Sequence, residues 1–163
     1  MQRSDIETKQ LILDNALFLP RLVDLINEGH SVTLNLKGIS MRPFLEDGRD
    51  KALLTKPNGI KKGDVVLAEI SQGVFVLHRI WAIDGNHVTL LGDGNLMPEH
   101  CTRSDVKAIA TGFWRKGRTQ ICTTQSKKWK VYSWIWIRLY PIRRWILAIH
   151  RRLIRWFGAE NVA

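Results

Sequence analysis

Three short stretches hold residue types that together could do nucleophilic serine chemistry. "GISMRPFLEDG" places Ser40 between a run that alternates like a strand and a Pro-Phe-Leu turn, "VFVLHRI" sets His78 among apolar residues, and "LLGDGNLMPEH" gathers Asp93, Asn95 and Glu99 in a glycine-containing turn after a strand. A serine at a strand end becomes a nucleophile when a base takes its proton, and that base needs a third group to hold it. Burial favours the neutral form of an imidazole, which is the form that accepts a proton. A carboxylate from the third stretch would orient the ring, and both Asp93 and Glu99 are candidates. Taken singly, each residue has a plainer reading: Ser40 as a turn serine, His78 as a core histidine, Asp93 and Asn95 as turn formers, Glu99 as a solvated charge.

The elements that must position these groups follow from periodicity. Ser4 with Glu7 is a capping-box signature, and Ile6, Leu11, Leu13, Ala16 and Leu17 recur at helical spacing behind it, so a helix begins there. Pro20 is expected to kink or restart it, and Gly29 to stop it. From Ser31 the period becomes two, with Val32, Leu34 and Leu36 on one side, and this strand runs into Gly38-Ile39-Ser40. Further strands are expected over 51–55, 64–70, 73–83, 87–92, 105–114 and 118–123, with Asp84-Gly85-Asn86 as a hairpin turn. The pattern predicts a compact, mainly β fold with an N-terminal helical segment over 1–30, a β-rich domain over 31–123 and an amphipathic helical tail over 124–163. No internal repeat and no glycine-rich phosphate loop is present.

In order and separation, the three stretches resemble the motifs of the type I signal peptidase and LexA-like serine peptidase superfamily. Histidine in place of lysine as base is similar to the branch of the endoplasmic reticulum and archaea. The resemblance spans about residues 31 to 115. It implies a LexA/signal-peptidase-like β-fold, with Ser40 as nucleophile and its backbone N–H in the oxyanion hole, His78 as general base, Asp93 organising the site and Glu99 completing a triad. Glu99 is one methylene longer than the aspartate usual there. Gly38 stands where signal peptidases usually have a serine, so oxyanion support falls to backbone donors at Gly38 and Ser40. The implied substrate is an exported precursor or leader peptide cut in trans after small residues. The alternative from another class is an inactive peptidase-fold module that binds peptides or serves as an adaptor at a membrane surface.

Charge is distributed unevenly. Residues 1–126 are close to neutral, whereas residues 127–163 carry nine of the 25 Lys+Arg against Glu160 alone, within a formal net charge of +10. Residues 129–157 hold five of the seven tryptophans and no acid. Beyond Pro141, Ile142, Trp145, Ile146, Ile149, Leu153 and Trp156 fall on one helical face, with Arg144, Arg151 and Arg155 opposite. Trp145, Ile149 and Trp156, flanked by Arg144, Arg151 and Arg155, are therefore candidates for contact with an anionic membrane surface; the plainer reading packs the stripe on the domain or on a second copy. Nucleic acid is disfavoured, because the aromatics share the aliphatic stripe rather than the basic face. Cys101 and Cys122 make neither a C-x-x-C spacing nor a disulfide framework, and no metal or other cofactor is expected. Asp5, Glu7 and Asp14 are wrong for a signal peptide, and no run reaches the ~18 apolar residues of a span. The expectation is a cytoplasmic chain, peripheral at most to the inner membrane face; oligomeric state is left open.

Overall fold

The computed structural model describes residues 15–158. The capping-box signature at Ser4 and Glu7 lies outside them. Helix α1 (Asn15–Asn27) runs through Pro20 rather than restarting there, and buries Leu22 and Ile26. After it come β1 (Val32–Asn35), β2 (Lys51–Thr55), β3 (Val65–Ser71), β4 (Val74–Asp84), β5 (His87–Leu91), β6 (Glu99–Thr102), β7 (Val106–Trp114) and β8 (Cys122–Thr123). Helices α2 (Lys127–Arg138) and α3 (Tyr140–Gly158) close the described chain. The mainly β reading holds.

The strands form an eight-stranded antiparallel sheet in the order β1-β2-β7-β3-β4-β5-β6, with β8 paired to β7. The β4–β5 turn forms where Asp84 pairs with His87, and Gly85 takes a φ of 54° that a side chain would resist. Two apolar clusters build the core. One joins Leu22 and Ile26 of α1 to Met41, Leu45, Leu54, Leu67, Phe113 and Trp129; the other gathers Val66, Ala68, Ile80, Val88 and Leu90.

Three expectations change. Glu99 does not sit in an irregular turn: it opens β6, opposite Leu90 of β5. The strand expected over 118–123 shrinks to Cys122–Thr123, because only these residues find partners on β7. The tail is two helices, and the first belongs to the core. Trp129, Ser133 and Trp136 recur at i, i+4 and i+7 along α2 and are buried, so two of the five tail tryptophans are core residues. Ser126 caps α2 by accepting a hydrogen bond from Trp129 N at 3.2 Å.

Candidate active site

Strand alternation assigns the site. His78 and Arg79 are consecutive on β4 and so point to opposite faces. Ile80 pairs with Leu90, and Leu90 with Glu99, so the β4–β5–β6 register carries Glu99 to the face of His78. Arg79 pairs with Leu91, and the chain leaving Leu91 brings Asp93 to the face of Arg79. Two carboxylates therefore take two different partners.

His78 is buried, and its Nδ1 lies 2.6 Å from Glu99 Oε2. An ionised carboxylate only accepts hydrogen bonds, so Nδ1 is the donor in this contact, and in the neutral ring that tautomer leaves the lone pair on Nε2. The longer glutamate reaches the imidazole without strain on the register, since Glu99 is held in a paired strand. Asp93 makes no hydrogen bond to the imidazole. Its carboxylate takes a two-pronged ion pair from Arg79, Nε to Oδ1 at 2.8 Å and Nη2 to Oδ2 at 2.7 Å, with both residues almost fully buried. Of the two carboxylates open at the sequence level, Glu99 is the one on His78.

The Gly92-Asp93-Gly94-Asn95 loop then seats Ser40. Gly94 N donates to Ser40 O at 2.7 Å, and Asn95 N closes the turn onto Gly92 O at 3.0 Å. A β-carbon at Gly92 would stand 2.5 Å from Ser40 O and 3.0 Å from His78 Nε2, so the second ring nitrogen and the serine segment meet over this glycine. Gly92→Ala should push them apart. An overpacked contact of this kind costs about 1–3 kcal/mol; the expected result is a lower melting temperature together with a loss of any Ser40-dependent reaction. Unchanged melting would show that the loop does not press on Ser40.

Ser40 and His78 line one cleft of about 140 Å³, walled by Leu36, Met41, Phe75 and Leu77. That is well below the ~300–1,000 Å³ of pockets for whole small molecules, and it suits one small side chain. Larger clefts of about 640 and 570 Å³ flank α2, away from Ser40, so size alone does not locate the chemistry. Among the described residues, Ser40 Oγ makes no hydrogen bond to His78. Ser40 N–H likewise has no acceptor among the described residues. Gly38 N–H donates to Asp47 Oδ1 at 3.0 Å.

The sequence matches no family model and no curated protein.

The residues that sequence reasoning missed lie on the other face of β4. Arg79 Nη1 donates to Ser133 Oγ at 2.7 Å and to Gly63 O at 3.0 Å, while Trp136 Nε1 donates to Asp93 O at 3.2 Å. The guanidinium also lies over Trp129, 5.1 Å from the ring centre. Burial alone would lower the pKa of Arg79, but the Asp93 charge and hydrogen bonds outweigh it and hold the guanidinium charged. Helix α2 thus covers the ion pair that fixes the loop under Ser40. Its i, i+3, i+4, i+7 set of Trp129, Tyr132, Ser133 and Trp136 carried the signal, masked by Trp134 and Ile135 between them.

Proposed function

We propose that the protein is a serine endopeptidase of signal peptidase type that cuts a precursor or leader peptide after small residues. The observation that carries this reading is a buried imidazole bonded through Nδ1 to Glu99, its Nε2 beside the Gly92 loop and Ser40 on the same cleft. In the proposed reaction Ser40 Oγ attacks the scissile carbonyl and Nε2 takes its proton. Ser40 N–H stabilises the resulting oxyanion. The imidazolium, held by Glu99, returns the proton to the leaving amine as the C–N bond breaks, and water then releases the acyl group by the same relay. Strand β1 lies at the sheet edge just before Ser40, where an extended peptide could add as a further strand. The cleft volume favours a small side chain at the residue before the cut. The same reading keeps the chain in the cytoplasm with its cationic end toward the inner face of the membrane.

The test is acylation of the folded chain by a fluorophosphonate probe, with the adduct located by mass spectrometry, beside cleavage of peptides bearing small residues. Labelling at Ser40 with cleavage is the expected result. A folded protein that neither labels nor cuts would favour the adaptor reading, to which the missing Ser40–His78 hydrogen bond lends its support.

A further inference from the structure

Helix α3 is three-sided. At about 100° per residue, Arg143, Leu147, His150 and Ile154 share one side. Arg143 and Leu147 are buried, His150 and Ile154 half-buried, and this side joins the helix to the domain. Arg143 lies among Trp81, Trp136 and Tyr140 and donates from Nη2 to Trp136 O at 3.0 Å. The second side, Ile142, Trp145, Ile149, Leu153 and Trp156, is 47–71% exposed. Apart from Ile146, which is half-buried, the stripe is thus not packed on the described domain. The third side carries Arg144, Arg151, Arg152 and Arg155, all exposed and none paired with a carboxylate among the described residues.

We propose that α3 lies flat in the headgroup region of an anionic lipid bilayer, with Trp145, Ile149, Leu153 and Trp156 inserted and Arg144, Arg151, Arg152 and Arg155 on lipid phosphates. The exposed stripe runs about 21 Å along the helix at 1.5 Å per residue, and no helix among the described residues is long and apolar enough to cross a membrane. In-plane seating satisfies both sides at once: apolar side chains leave water, and arginines keep their hydration and their counter-charge. Charge complementarity selects this occupant. Residues 127–158 contain no acid, so two copies packed stripe to stripe would bring arginine against arginine with nothing on either helix to pair it. Nucleic acid would need stacking aromatics on the basic side, and they are on the other. The apolar surface also continues toward the candidate site, because Tyr140 Oη donates to Leu96 O at 3.4 Å and Leu96, Met97 and Ile39 are exposed.

The lipid proposal does not rest on the peptidase reading, and the experiment separates them. Full-length protein is sedimented with vesicles of phosphatidylcholine alone or mixed equally with phosphatidylglycerol, with circular dichroism as a check on folding. The expected result is binding to the mixed vesicles that falls by at least about tenfold with the neutral lipid, with high salt, with the triple variant W145E/I149E/W156E, and with R144Q/R151Q/R155Q. Ser40→Ala should bind as the wild type does. Equal binding by wild type and either triple variant would overturn the proposal, as would equal binding to both vesicle types. So would a lipid-independent dimer that the W145E/I149E/W156E variant dissolves and vesicles do not compete with.

Discussion

Ser40→Ala is expected to abolish fluorophosphonate labelling and to lower kcat/KM by about 10⁶ while leaving the melting temperature unchanged. The two halves of that expectation have separate causes. In the proposed mechanism, loss of the Ser40 hydroxyl eliminates the acyl intermediate, so only the residual effect of binding and oxyanion support would remain. Stability is spared because Ser40 holds its neighbours through its backbone: its carbonyl accepts from Gly94 N at 2.7 Å, and its hydroxyl makes no hydrogen bond among the described residues. His78→Ala should cost a similar factor. The two together should cost no more than either alone, because serine and base act as one unit. Glu99→Gln is a milder change, with a loss on the order of 10⁴ in kcat as the amide lets the ring take the wrong tautomer. Undiminished cleavage by folded Ser40→Ala would refute the proposed mechanism. Equal turnover by Glu99→Gln would leave Ser40 as nucleophile but remove Glu99 as orienter.

Much of the sheet was legible because its strands are long enough to show a period. Val32, Leu34 and Leu36 alternate against polar neighbours, and the turn at Gly85-Asn86 announces itself by residue type. Glu99 was misread as a turn residue because β6 has four residues and follows Pro98; nothing local marks it as a strand, and only its pairing with β5 makes it one. That pairing also decided between the two carboxylates. Sequence order put Asp93 and Glu99 behind the same strand, whereas the two-residue period of β4 and β5 sent them to opposite faces. The bond from Gly38 N–H to Asp47 Oδ1 was equally invisible, since it spans nine residues of loop. The tail was legible as amphipathic beyond Pro141. Its first helix was not, because tryptophans on both sides of α2 hide which ones are core.

That helix leads to the second large effect. Asp93→Ala should destabilise the fold by about 3–5 kcal/mol, because it leaves Arg79 charged, buried and unpaired. At roughly 2–4 °C per kcal/mol for a chain of this size, the melting temperature should drop by on the order of 10 °C. The damage should reach the site, since Asp93 fixes the loop on which Gly92 and Gly94 meet Ser40 and His78. Arg79→Met should behave differently in kind: it leaves Asp93 buried without its guanidinium and removes the donor to Ser133 Oγ and Gly63 O, so α2 loosens as well. Arg79→Met combined with Asp93→Leu removes both charges, and replacing a buried pair by apolar side chains is often close to neutral. The double variant should therefore recover most of the stability lost by Asp93→Ala but little of the activity, because no carboxylate remains to hold the loop. A single variant that melts like the wild type would contradict the burial of the pair; a double variant as unstable as the singles would mean that the contacts of Arg79 to Ser133 and Gly63, rather than the ion pair, hold β4 to α2. The same coupling bears on how the tail can be dissected. Ending the chain near residue 126 would strip Trp129, Ser133 and Trp136 from the core and expose Arg79 and Asp93, so loss of lipid binding by such a fragment would report unfolding. Substitutions confined to the exposed stripe of α3 leave that pair covered, and they are the changes that report on the tail alone.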